Sequence, residues 1–403
     1  MEKKNIYFDH SATTQVDSAV AKKMLEYMTD KFGNASSIHS FGREAKKALE
    51  EARKQVARLI NAEPTEIIFT SGGTESDNLA LKGIALRNRK KGNHIISSQI
   101  EHHAILHTLE YLEENGFKVT YLPVDENAMI NLEDLKNAIT DETILISIMF
   151  ANNEVGTIQP IKEIGKIAKE HDIYFHTDAV QAIGNCHIDV REMNIDLLSM
   201  SGHKFYSSKG TGALYVRKGV RIEAIQHGGA HERNIRAGTE NIPGIVGMGL
   251  AADIARVNLD DHIKNLTKLR DKIIDTILAE IPSVKLNGHR TQRLPGLVNF
   301  SFSFIEGESL LLNLDLKGIA ASSGSACTSG SLDPSHVLLS MGLNHETAHG
   351  SLRLSLGRHN TEEEVDYFLE IIPEIIDKLR KMSPLYNPSD IKVSNPCDQC
   401  INR

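Results

Sequence analysis

Between Glu66 and Val216, seven short apolar and β-branched runs alternate with segments of helical spacing, and this pattern constrains the fold more than any other feature of the chain. Strands separated by helix-length segments pair in parallel through crossovers, so the pattern predicts an α/β domain with a mostly parallel sheet. The strand candidates are Glu66–Thr70, His94–Ser98, Lys118–Leu122, Thr143–Phe150, Ile173–Thr177, Asp196–Met200 and Ala213–Val216. Helical spacing fills Leu79–Asn88, Ile105–Glu114 and Ile161–Glu170 between them. Beyond Pro243 the pattern changes to two helices, Ile245–Val257 and Asp261–Ile281, and then to a strand over Leu297–Phe304. A helix at Glu308–Leu316, strands at Ile319–Ser322 and Gly350–Ser355, and an amphipathic helix opening on Thr361 follow. Glu364 completes a capping box there. The change predicts a second, smaller α+β domain and, after it, an irregular tail with little periodicity.

Composition narrows the partners. Of 403 residues, 45 are Lys or Arg and 53 are Asp or Glu, a formal charge of -8 that disfavours a phosphate-backbone binder and so nucleic acid. No uncharged apolar run approaches the roughly 18 residues of a membrane span, and the first residues lack the apolar stretch of a signal peptide. Four cysteines, at 186, 327, 397 and 400, are too few and too unevenly spaced for a disulfide framework. A soluble cytoplasmic protein without a membrane partner is expected.

Catalytic groups of open α/β sheets lie just beyond the carboxyl ends of strands, and several chemically loaded residues fall there. Asp178 ends one strand and Lys204 follows the next. A carboxylate that keeps a pyridine nitrogen protonated and a lysine that forms a Schiff base are what an aldehyde cofactor needs. Ser71-Gly72-Gly73-Thr74-Glu75-Ser76 leads from a strand into a helix, where backbone N–H groups and hydroxyls bind phosphate oxygens. Ser201 and His203 could add donors beside the lysine. His102 is placed to stack on a flat ring and move protons near neutral pH. Asn153 follows the apolar strand ending at Phe150, and Arg353 lies in an alternating strand where a guanidinium can bind a carboxylate in a fork. The run Ser322-Ser323-Gly324-Ser325-Ala326-Cys327-Thr328-Ser329-Gly330-Ser331 has no bulky side chain to anchor it in a core. It predicts an exposed, mobile loop presenting a nucleophilic thiol, whereas Cys186 reads as a bystander.

Taken in order, Tyr7-Phe8-Asp9-His10-Ser11-Ala12-Thr13-Thr14, Gly72-Gly73-Thr74-Glu75-Ser76, Glu101-His102-His103, Asn152-Asn153-Glu154-Val155-Gly156, Asp178 to Gln181, Ser201-Gly202-His203-Lys204, Arg236-Ala237-Gly238-Thr239-Glu240-Asn241 and Ser323-Gly324-Ser325-Ala326-Cys327-Thr328 form a series. The series resembles the pyridoxal-phosphate-dependent cysteine desulfurases of the NifS/IscS type, from Ile6 to about Met382. The resemblance implies a fold type I transferase, with a large cofactor-binding domain over residues 15–260, a small domain over 1–14 and 261–382 that carries the cysteine loop, and a tail over 383–403. It implies pyridoxal 5'-phosphate as cofactor, with Lys204 as covalent anchor, Asp178 on the pyridine nitrogen, Gln181 on the ring oxygen and His102 stacked on the ring. Gly73, Thr74, Ser201 and His203 would hold the phosphate, joined by Thr239 of the partner subunit in a homodimer. Asn153 and Arg353 would bind the carboxylate of L-cysteine. Cys327 would accept the sulfur as a persulfide, release L-alanine and pass sulfur to an iron–sulfur scaffold protein. A transient role for Cys327 as an iron–sulfur ligand stays open. So does the use of Asn395-Pro396-Cys397-Asp398-Gln399-Cys400, since a lone C-x-x-C supplies only two metal ligands. The alternatives on the same scaffold are a selenocysteine lyase or an aminotransferase, and outside catalysis a non-catalytic scaffold protein.

Overall fold

The structure, a computed structural model, describes residues 5–323 and 334–387. Strand β1 (Ile6–Tyr7) is followed by helices α1 (Ser18–Thr29) and α2 (Ser40–Leu59). The alternating region then runs β2 (Ile67–Thr70), α3 (Gly73–Asn88), β3 (His94–Ser98), α4 (His103–Glu114), β4 (Lys118–Leu122), α5 (Leu132–Ala138), β5 (Thr143–Ser147), α6 (Ile161–Glu170), β6 (Tyr174–Asp178), β7 (Leu197–Ser201) and β8 (Gly212–Val216). The seven strand candidates are the seven strands of one sheet, ordered β2-β8-β7-β6-β5-β3-β4. All neighbours pair in parallel except β8, which runs antiparallel between β2 and β7.

Both faces of this sheet are covered, so successive strand residues enter different cores. Ile95, Leu145, Leu197 and Leu214 pack with Leu79, Ile84, Ile105 and Leu109 of α3 and α4. Their neighbours Ile96, Ile146, Leu198 and Tyr215 pack on the other face with α2 and α6. The chain continues through α7 (Ile242–Glu280), β9 (Val284–Asn287), β10 (Leu297–Phe302), α8 (Gly307–Leu316), β11 (Ile319–Ala320), α9 (His336–Ser340), α10 (His345–His349), β12 (Ser351–Ser355) and α11 (Glu362–Met382). An antiparallel sheet β12-β10-β9 packs against the second half of α7 and against α8 and α11. Ile6 and Phe8 join this second core, because β1 pairs in parallel with β11.

Two sequence expectations are corrected. The two helices expected after Pro243 are one: residues 258–260 contain no Gly or Pro to stop the helix, and the Asn258 amide donates back to the Ile254 carbonyl at 2.7 Å within it. By length and composition α7 could cross a bilayer, yet its buried residues serve both cores, Met248 and Ala252 in one and Leu266 and Ile273 in the other. The expected strand Thr143–Phe150 ends at Ser147, and the Ile148 and Phe150 N–H groups instead donate to the carbonyls of His176 and Asp178. Helices α1 and α2 had no counterpart in the sequence reading; α2 starts on His39, whose ring accepts from the Gly42 N–H at 3.3 Å, a start signal outside the usual Ser, Thr, Asp and Asn.

Arg53 of α2 is locked beneath β2 by a two-pronged pair with Glu232, both bonds 2.7 Å, and Glu232 also accepts from the Phe69 N–H at 2.9 Å. Both side chains are buried. Removing one partner leaves a buried charge, so Glu232→Ala is expected to destabilise the protein by about 3–5 kcal/mol. Thermal or urea unfolding checks this; a change below about 1 kcal/mol would show that the pair is not anchoring α2.

Candidate active site

β6 and β7 run parallel with Asp178 opposite Ser199, so the chain leaves both strands at the same sheet edge. Asp178 closes β6, and one short turn beyond β7 brings Lys204 to the same place. Lys204 Nζ donates to the Ser11 carbonyl and, at 3.0 Å, to the Ala12 carbonyl. Gln181 Nε2 donates to that same Ser11 carbonyl at 3.0 Å. Asp178 is buried and accepts the Val180 N–H at 2.9 Å. Burial pushes its carboxyl up to about 6, opposed by the Val180 N–H and by Lys204.

Helix α3 starts beside this pair. Its cap residue, Gly72, offers no side chain to the first-turn N–H groups. A Cβ on Gly73 would stand 2.7 Å from Val180 Cγ2, so the missing side chain lets this turn close tightly on the turn after Asp178, with Ser201 Cβ 3.7 Å from the same point. Thr74 is exposed on the first turn. His203 stands 3.2 Å from Thr13 Oγ1, and burial followed by Lys204 and Lys209 pushes its imidazole down to about 4. Thr239 is exposed and takes no part in the contacts that assemble this edge; its segment is tied down nearby by Arg236, which donates to Glu75 of α3 at 2.7 Å.

His102 caps α4: its Nδ1 accepts the Ala104 N–H at 3.1 Å, which assigns the ring proton to Nε2. Burial first, then Lys204, His103 and His107, hold this imidazole down to about 4, so it is neutral at physiological pH. Arg353 of β12 donates from Nη1 to the Asn153 carbonyl at 3.0 Å and from Nη2 to Asp9 at 2.9 Å. The structure thus brings Asn153 and Arg353 together, as it does Lys204, Asp178, Gln181, Ser201 and Gly73. Cys327, Cys397 and Cys400 lie outside the described residues. The described flanks of the Cys327 segment are both tied to this region: Ser322 pairs by backbone with Arg353, and the Ser335 hydroxyl donates to Glu154. Cys186 packs against the large core, and burial pushes its thiol up to about 12.

Residues 6–368 match the family described as aminotransferase class-V. Curated relatives include a cysteine desulfurase IscS of Clostridium botulinum strain Hall, 61% identical over 95% of this chain and 97% of its own, and one of Methanosarcina thermophila, 62% identical over 95% of each. The chain belongs to the class-V aminotransferase family, among its cysteine desulfurases. Among solved structures, a NifS-like protein superposes with a TM-score of 0.87 at 41% identity, covering 93% of this chain and all of its own. A structure titled SspA in complex with cysteine superposes with a TM-score of 0.78 at 38% identity, covering 89% of this chain and all of its own.

Enzymes of this class-V family are pyridoxal-phosphate-dependent, and the residues present fit that cofactor. The uncapped start of α3 and the glycine-dependent approach at Gly73 form a cradle for a phosphate, and the buried Asp178 carboxyl, with a single backbone donor, suits a protonated ring nitrogen. What sequence reasoning missed is the turn over residues 9–14. Asp9 holds Arg353, the Ser11 carbonyl gathers Lys204 and Gln181, and Thr13 meets His203. The signals were a polar, aperiodic run just after the apolar start, Asp9-His10-Ser11-Ala12-Thr13-Thr14, and its place in the family-like series, neither of which gave these residues a role. Also missed was the buried set beneath Asp178. His176, two residues earlier on the same strand face, meets Ser147 at 2.9 Å and Ser199 at 3.0 Å, with Asp77 of α3 at 3.8 Å. Alternation along β6 carried that signal.

Glu154, next to Asn153, is buried, and burial pushes its carboxyl up to about 7 against the Ser335 hydroxyl and Arg353. A folded-state pKa above the unfolded value means that Glu154 favours folding below about 4.5 and that this contribution is lost as pH rises through about 7. Glu154→Gln stays neutral throughout. Its melting temperature relative to the parent protein should therefore climb between about pH 4.5 and pH 7 and level off above. A difference that is flat across this window would show that Glu154 ionises normally.

Proposed function

We propose that this chain converts L-cysteine to L-alanine and passes the sulfur, through Cys327, to an iron–sulfur scaffold protein. The observation that carries this reading is the meeting of Lys204, Asp178 and Gln181 at one sheet edge. Arg353 and Asn153 stand together at the described flanks of the Cys327 segment.

Pyridoxal phosphate bound at this edge supplies an electron sink for bonds at the α-carbon of an amino acid. Asp178 would pair with the ring nitrogen and Gln181 with the ring oxygen, while His102, fixed by its Ala104 bond, would stack on the ring. Gly73, Thr74, Ser201 and His203 would take the phosphate, and Thr239 of the partner subunit would complete this set in a homodimer. The exposure of Thr239, on a segment anchored at the same helix start, supports that arrangement. Arg353 and Asn153 hold the α-carboxylate, which fixes the α-carbon over Lys204. Lys204 would be the covalent anchor of that cofactor and the base that moves the α-proton of the amino acid. The Cys327 thiolate attacks the substrate sulfur: the S–S bond forms as the carbon–sulfur bond breaks, and the carbon takes a proton to become the methyl group of alanine. Cys327 is left as a persulfide for the acceptor. We place the enzyme in the cytoplasm, where thiols stay reduced.

The test is an absorbance spectrum of the purified protein before and after L-cysteine, with alanine measured in the same tube. A visible cofactor band that responds to cysteine, with alanine formed, is expected. Cys327→Ala should stay yellow and still respond, while alanine turnover falls by roughly two orders of magnitude. Unchanged alanine formation in that variant would sink the sulfur-transfer assignment to Cys327 and favour a selenocysteine lyase, whereas a cofactor band that responds to cysteine without alanine formed would favour an aminotransferase. A band indifferent to cysteine would favour a non-catalytic protein.

A further inference from the structure

Arg353 sits at the centre of β12 with 3% of its side chain exposed. A guanidinium has five N–H donors in one plane. Here one terminal nitrogen bonds the Asn153 carbonyl at 3.0 Å, the other bonds Asp9 at 2.9 Å, and Nε has no hydrogen-bond partner among the described residues. Two bonds on the two terminal nitrogens fix the plane and leave donors unspent. A buried guanidinium without a counter-ion is costly, and Asp9 is its ion-pair partner among the described residues. Glu154, the other acid close to Arg353, is bonded to Ser335, and burial draws it toward the neutral form.

Asp9 is itself firmly mounted. It bridges in parallel to Ser355 at the end of β12, the His10 N–H donates to the Ser355 carbonyl at 3.1 Å, and the Ala12 N–H donates to the Asp9 carbonyl at 3.0 Å. The bond to Arg353 therefore joins two adjacent, paired segments and does not depend on a wandering surface chain.

We propose that Asp9 is a positioning residue for substrate binding: its carboxylate orients the buried Arg353 guanidinium and is its counter-ion before substrate arrives, so that an amino-acid carboxylate meets a fork already in place. This rests on the reading of Arg353 as the carboxylate anchor. Preorganisation of this kind lowers the ordering cost of binding and leaves the chemical step alone. Asp9 does not touch the reacting atoms.

Steady-state kinetics of the holoenzyme with L-cysteine, for Asp9→Ala, Asp9→Asn and Arg353→Ala, tests this. Asp9→Ala is expected to raise KM about tenfold or more with kcat changed less than about threefold, and Asp9→Asn, which keeps an oxygen acceptor, to raise KM about three- to tenfold. Asp9→Ala added to Arg353→Ala should cost nothing further in KM. If Asp9→Ala fails to fold, Asp9→Asn decides alone. An unchanged KM in the Asp9 variants, with KM raised in Arg353→Ala, overturns the role of Asp9 and leaves the Arg353 reading standing. An unchanged KM in Arg353→Ala overturns both. A joint fall in kcat and bound cofactor at constant KM overturns the proposal in favour of a merely structural residue.

Discussion

Asp178 and Lys204 share one sheet edge because β6 and β7 pair in parallel with Asp178 opposite Ser199, and the other parts of the site are arranged around that register. A slip by one residue would turn every side chain of β6 to the opposite face and carry Asp178 away from α3. The slip is prevented by packing: Phe175 and Leu198 enter one core, and Leu197 enters the other. His176 adds a polar lock, since its two ring nitrogens bond Ser147 on β5 and Ser199 on β7, tying three neighbouring strands together. The core that fixes the register is thus the same one that fixes the chemistry.

The second dependence runs through the start of the chain. Residues 9–14 lie between β1, which belongs to the smaller core, and α1, which packs on the larger one. In passing, this turn bonds Arg353 and Ser355 on one side and Lys204, Gln181 and His203 on the other. Movement of the small core relative to the large sheet would therefore be felt at the lysine. The undivided α7 opposes such movement, because one helix with buried residues in both cores couples them more stiffly than two helices and a joint would.

How much of this the sequence shows depends on how local each signal is. The seven strands were legible because each is a short apolar run bounded by polar residues, and Asp178, Lys204 and Gly73 were legible because they stand at strand ends or helix starts. Asp9 was not: its partner Arg353 lies 344 residues away, and only the β1–β11 pairing and the bridge to Ser355 bring the two together. Asp77 and Glu101 read as ordinary polar residues of a helix and a loop; nothing local marks them as buried. The continuity of α7 was missed because the polar stretch around residue 258 resembles a boundary, yet tertiary contacts on both sides override that weak local signal.

The buried acids carry the electrostatic logic further. Asp77, Glu101, Glu154 and Asp178 are all enclosed around the site, and burial raises every one of them; the same loss of water lowers His102, His176 and His203. Acids and imidazoles are both driven toward their neutral forms. Glu75 goes the other way: the bonds from Arg236 and Ser71 hold it below the usual carboxylate range despite partial burial. In the proposed reading a ligand would bring an anion to the start of α3 and a cationic nitrogen to Asp178. In such a low-dielectric setting each of those contacts is stronger than it would be in water.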